Sequence, residues 1–112
     1  MTESKIEPRL LAEIRRLEAK REPSAISVVI QLAFDEPPAE STTYAALAQR
    51  LAVHKEAVLH CLSRGGFTGT LQENVLAGSL EGELTRDQIA AVSDLNEIKR
   101  IVFNRLDEVE LG

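Results

Sequence analysis

Two histidines, His54 and His60, are the residues of this chain best suited to hold a metal or to move a proton. They lie six positions apart, without the i, i+4 spacing or the intervening carboxylate of a zinc-binding helix, so no metal site is expected. The single cysteine, Cys61, rules out an internal disulfide. It falls within an apolar helical stretch and is expected to be a buried structural thiol. There is no G-x-S-x-G elbow and no P-loop. Gly65, Gly66 and Gly69 are too sparse to cradle a phosphate, and read as the end of a helix and the start of a strand. The serines and aspartates are not paired with a recognisable base. The chain is therefore not expected to be an enzyme or to carry a cofactor.

The totals point the same way. The 112 residues suit one domain, and 44% hydrophobic with 28% charged residues is enough to build a core. The net charge of −5 and the pI near 5.0 run against a nucleic-acid partner, which needs a cationic footprint. A protein or a small ligand fits better. The start, MTESKIEPRL, has no apolar run and does not read as a signal peptide. The stretch AISVVIQLAF is too short to span a bilayer, so no membrane association and a cytoplasmic location are expected.

Residues 7–22 predict a leading helix. Pro8 suits the first helical position, Leu10, Leu11, Ile14 and Leu17 recur at helical spacing, and Pro23 stops it. Its basic residues, Arg15, Arg16, Lys20 and Arg21, fill the other side. In AISVVIQLAF, Ile26, Val28, Ile30, Leu32 and Phe34 alternate with Ser27, Val29, Gln31 and Ala33, which predicts a strand with one fully apolar face. DEPPAEST is a loop, because two consecutive prolines continue neither element.

TYAALAQRLAVHKEAVLHCLSR, residues 43–64, then allows two readings. Capped by Ser41, Thr42 or Thr43, it can be one amphipathic helix with a stripe of Tyr44, Leu47, Ala48, Leu51, Val58 and Leu62. It also has the spacing of a helix-turn-helix, with its turn at His54 and Lys55. Residues 67–84 predict a hairpin, with FTGTLQENV as the first arm. In the second arm Leu80, Gly82 and Leu84 face one side, Glu81 and Glu83 the other. Thr85 and Gln88 form a capping box, with Leu84 and Ile89 placed as its hydrophobic staple. A short helix then buries Ile89 and Val92. The last strand, EIKRIVFNR, puts Ile101 and Phe103 on one face and Arg100 and Val102 on the other. The tail LDEVELG is acidic and extended.

This order closes as an α+β, ferredoxin-like βαββαβ antiparallel sandwich with an extra N-terminal helix. The single domain, 1–112, divides into a leading helix at 7–22, a ferredoxin-like core at 25–105 and a tail at 106–112. One face of the sheet is left bare.

The segment AGSLEGELTRDQIAAVSDLNEIKRIVF resembles the second half of the subtilisin propeptide family of protease inhibitors. A small-residue strand runs into a Thr-capped helix; after the turn SDLNE come Ile98, two variable residues and Ile101. KIEPRLLAEIRRLEAKREPSAISVVIQL is similar to the leading helix and first strand of propeptide-like domains. The resemblance is specific from Gly78 to Phe103 and only topological across residues 35–75. It implies an inhibitor or trans-acting folding chaperone of a separately encoded subtilisin-like serine protease. The open face would dock on two protease helices, acidic side chains would cap those helices, and the tail would enter the active-site cleft. Carried onto this chain, the docking face is Ser27, Val29, Gln31, Ala33, Glu81, Glu83, Arg100, Val102 and Asn104. The blocking tail is Leu106, Asp107, Glu108, Val109, Glu110 and Leu111, with Leu106, Val109 and Leu111 as apolar anchors. Where the family often carries acidic caps this chain has Val102 and Asn104, and Glu81 and Glu83 are the candidates to replace them. If Gly112 is the natural end, action is in trans.

Two rival readings stand beside it. In a winged helix-turn-helix DNA-binding regulator, His54, Lys55, His60 and Arg64 would reach the bases. The hairpin would be the wing, although Glu73, Glu81 and Glu83 would repel phosphate. The other rival is an oligomerisation or small-ligand module on the same ferredoxin-like fold, since fold does not fix function.

Overall fold

In a computed structural model the chain forms a mixed α+β fold, a four-stranded antiparallel sheet with three α-helices. The structure describes residues 1–20, 25–34 and 42–104. Pro23, most of DEPPAEST, the candidate cap Ser41 and the whole tail at 106–112 lie outside the described residues.

The strands are β1 (Ile26–Leu32), β2 (Gln72–Asn74), β3 (Ser79–Leu84) and β4 (Ile98–Phe103). Their order across the sheet is β2-β3-β1-β4, and every neighbouring pair is antiparallel. The helices are α1 (Pro8–Lys20), α2 (Tyr44–Arg64) and α3 (Arg86–Ser93). Pro8 does open α1, where a missing N–H costs nothing.

Period 2 decides which strand residues are buried. Ile26, Val28, Ile30 and Leu32 are buried, while Ser27, Val29 and Gln31 between them are half-buried. From β3, Leu80 and Leu84 join the same core, and from β4, Ile98 and Ile101. Ile98 and Ile101 are three apart, which alternation alone would put on opposite faces. The pairing of β1 with β4 shifts between Gln31 and Leu32, so that Gln31 opposes Arg100 and Leu32 opposes Ile98. This bulge, with Lys99 as the extra residue, turns both isoleucines inward.

The helices cover that one face. Leu10, Ile14 and Leu17 from α1, Leu51, Val58 and Leu62 from α2, and Ile89 and Val92 from α3 all belong to the one core. Each fully buried aliphatic side chain contributes about 1.5–3 kcal/mol over its exposed state. Arg86 of α3 pairs with Glu18 of α1 at 3.2 Å.

The cap of α2 is Thr43, whose hydroxyl accepts the Ala46 N–H. The helix then runs unbroken for 21 residues. The turn expected at His54 and Lys55 in a helix-turn-helix is absent, because neither residue breaks a helix and the first glycine comes only at Gly65. Tyr44 is a correction to the expected stripe: it is the first helical residue and is 62% exposed. The capping box at Thr85 forms as its sequence predicts, with Gln88 N–H on the Thr85 hydroxyl and Thr85 N–H on the Gln88 carbonyl.

The first hairpin arm is shorter than expected. Only Gln72–Asn74 pairs with β3. Leu71 is buried, and a Cβ built at Gly82 would meet its Cδ2 at 2.6 Å. Leu71 thus fills the inward side-chain space that Gly82 leaves empty, and the chain departs from the sheet there.

The N-terminal segment has a role that composition alone does not reveal. After a short 3-10 turn at Glu3–Lys5, Ile6 is buried and bridges Ile101 in parallel. The Glu7 N–H donates to the Ile101 carbonyl at 2.9 Å. The segment is anchored at its other end, where Thr2 N–H donates to the Ser93 hydroxyl and Lys5 Nζ to the Leu95 carbonyl.

Candidate docking face

The side of the sheet away from the helices carries the residues with odd numbers on β1 and β3 and the even-numbered ones at the end of β4. The pairing lays them out in rows. Val29 stands between Glu81 on β3 and Val102 on β4, and Gln72 of β2 extends the row beyond Glu81. Gln31 stands between Ser79 and Arg100. Ser27 opposes Glu83, and its carbonyl accepts the Asn104 N–H at 3.0 Å. Ala33 lies just past the end of β1, where its N–H donates to the Glu97 carbonyl at 2.8 Å. The sequence-predicted face residues are therefore side by side on one surface, with Ala33 at its margin.

The surface is half-exposed and chemically divided. Val29 and Val102 make an apolar middle, both half-buried. Glu81 and Glu83 lie on the β3 side, Lys99 and Arg100 on the β4 side. A cleft of about 630 Å³ opens at the Ser27 end, lined by Ser27, Glu81, Glu83, Asn104 and the loop Gly66–Thr70. A second cleft, of about 310 Å³, lies at the Gln31 end, lined by Val29, Gln31, Ser79 and Lys99 among others. Ser79, on this face by register, is only 4% exposed. The turn residues Ala77 and Gly78 line the same cleft.

Of the residues proposed to read DNA, His60 and Arg64 are exposed on α2, whereas His54 and Lys55 make contacts within the chain. His54 Nδ1 lies 3.1 Å from the Arg50 carbonyl, and its ring packs on Phe34 at 4.6 Å. Arg50 stacks over the other part of that cluster, its Cζ 3.9 Å from the Phe34 ring centre. Lys55 is held by Glu73 at 3.0 Å. Val58 and Leu62 are core residues facing the sheet. The hairpin is two strands of the main sheet rather than a projecting wing.

His60 is exposed, and no group of three or more His, Cys, Asp or Glu side chains that could hold a metal occurs among the described residues. Cys61 is half-buried rather than fully buried. Burial pushes its thiol above the usual range, against the lowering effect of Arg64 and with a smaller raising effect of Asp94. No helix among the described residues is long and apolar enough to cross a membrane.

Compared with known protein families, curated proteins and solved structures, the chain matches none.

Proposed function

We propose that the protein binds a subtilisin-like serine protease, as an inhibitor or folding assistant acting on a separate chain, with the open face as its docking surface. The observation that carries this reading is the half-covered sheet. Its helices all lie on one side, and the other side presents Val29 and Val102 beside unshielded carboxylates. A pair of partner helices would bury the apolar middle, and Glu81 and Glu83 would meet their N-termini. A carboxylate there is favoured by about 0.3–1 kcal/mol at an exposed site. Glu81 shares its row with Val102 two strands away, roughly 10 Å at ordinary strand spacing. A glutamate at this position supports the replacement of the family's missing cap.

Read from the β4 edge, the strand order is 4-1-3-2, which supports a ferredoxin-like sandwich with an added N-terminal helix. Ile98 and Ile101 both face the core, in keeping with the spacing on which the propeptide resemblance rests. The tail Leu106–Leu111 would enter the protease cleft as an added strand.

The test is inhibition of a panel of subtilisin-like proteases, with a chymotrypsin-like enzyme as control. Val29→Arg places a charge in the apolar middle and is expected to raise the inhibition constant at least tenfold. Deleting residues 106–112 is expected to raise it sharply as well. Unchanged inhibition on deletion rules out the tail, and unchanged inhibition by Val29→Arg rules out the face. No binding to any member of the panel overturns the reading.

A further inference from the structure

We propose that the open face also joins two copies of this chain, each placing Lys99 and Arg100 against Glu81 and Glu83 of the other. This goes beyond the protease reading and stands without it. The acidic pair lies on β3 and the basic residues on β4, on opposite sides of the central strand β1. Among the described residues none of these four side chains has an ion-pair or hydrogen-bond partner within its own chain. A face charged in this way is complementary to itself. The acidic pair sits towards the Ser27 end and the basic pair at the Gln31 end, so the two lie on a diagonal of the face. A two-fold axis in the plane of the face, running obliquely to β1 and midway between the two pairs, lays each sign over its opposite, as an isologous interface requires. The same operation stacks the Val29 and Val102 middle of one copy on that of the other. The cleft of about 630 Å³, with Glu81 and Glu83 on its wall, has room for a long cationic side chain.

The size of the face sets the strength. Three strands about 4.8 Å apart and some 20 Å long give a footprint of roughly 300–400 Å² per copy. Stable interfaces bury about 800 Å² per partner. The dimer is therefore weak, and it forms and dissociates in exchange with any partner that takes the same face.

Sedimentation equilibrium of the full chain, without protease and at about 0.1 M salt, tests this. At that salt charges more than about 10 Å apart are screened while contact pairs persist. Wild-type protein is expected to be a monomer at micromolar concentration and to dimerise towards 1 mM. Glu81→Lys with Glu83→Lys makes the face wholly basic, and Lys99→Glu with Arg100→Glu makes it wholly acidic. Each double variant is expected to associate at least tenfold more weakly, and an equimolar mixture of the two to recover the dimer. Recovery also shows that both variants fold. The first variant reduces the net negative charge, so general repulsion alone predicts tighter association where specific pairing predicts weaker. A wild-type monomer at 1 mM, association untouched by both reversals, or a mixture no stronger than its components would each overturn the proposal.

Discussion

The carboxylate of Glu7 accepts the backbone N–H of Phe103 at 3.3 Å, across 96 residues of sequence. Together with the Glu7 N–H on the Ile101 carbonyl, it occupies the outer side of β4, an edge that would otherwise present unpaired groups to another strand. A hydrogen bond to a charged group contributes about 1.5–3 kcal/mol. Glu7→Ala is expected to lower the unfolding free energy by about 1–2 kcal/mol and to speed amide exchange at Phe103. Glu7→Gln, which keeps an acceptor, is expected to lose less than half as much. Urea denaturation and hydrogen exchange measure both, and an unaltered Phe103 exchange rate in Glu7→Ala would show that the contact does not close the edge.

Gly78 and Phe34 define a second close approach. Gly78 has φ +66°, and a Cβ there would lie 2.8 Å from an edge carbon of the Phe34 ring. Gly66, at φ +82°, has nothing within 4 Å of such a Cβ. Gly66→Ala therefore carries the backbone cost alone, about 1 kcal/mol. Gly78→Ala is expected to cost about 1 kcal/mol more, because the Phe34 ring, packed on Arg50 and His54, has to move. Urea midpoints of the two variants give the difference; equal losses would mean that Phe34 yields freely.

How much of this was legible in the sequence depended on whether the signal was local. The alternation in β1 and the Thr85 capping box are fixed by neighbours a few residues away, and both formed as read. The two readings of residues 43–64 were separable in principle, since nothing between Thr43 and Gly65 stops a helix. The parity of the apolar residues in β1 and β3 also places Val29, Glu81 and Glu83 on one face. What stayed hidden were contacts between distant segments. Ile6 is a lone apolar residue among polar ones, and nothing near it announces Ile101. The short β2 follows from Leu71 covering Gly82, a tertiary choice. The bulge at Lys99 left a trace, the three-residue step from Ile98 to Ile101, which plain alternation cannot accommodate.

Cys61 gives a prediction about reactivity. Burial, the leading cause, raises its thiol pKa, so less thiolate is present at pH 8 than in an open peptide. Alkylation of the native protein is expected to be several-fold slower than that of the urea-unfolded chain. The native rate should continue to climb with pH above the range where an ordinary thiol has levelled off. Equal rates in the two states would show that the thiol is open to solvent.

Asp94 ties the first residues to the end of α3, and its ionisation is the sensitive point. The Thr2 hydroxyl donates to its Oδ1 at 2.7 Å, and the N-terminal ammonium lies 3.4 Å from Oδ2. The Thr2 hydrogen bond is the largest cause that holds its pKa below the ordinary 3.8; the ammonium and Lys5 add to it, against some desolvation. A carboxylate depressed in the folded state contributes stability that is present above its unfolded pKa and lost as pH falls through the folded value. The N-terminal segment is therefore expected to loosen only in acid, below the usual aspartate range, and not between pH 5 and 8. Carboxyl chemical shifts followed by NMR should place Asp94 below 3.8. Thr2→Val should bring it back towards that value, and Asp94→Asn should remove this acid-dependent loosening from the Thr2 amide signal. An Asp94 that titrates at the ordinary value in the wild-type chain would show that the clasp does not form in solution.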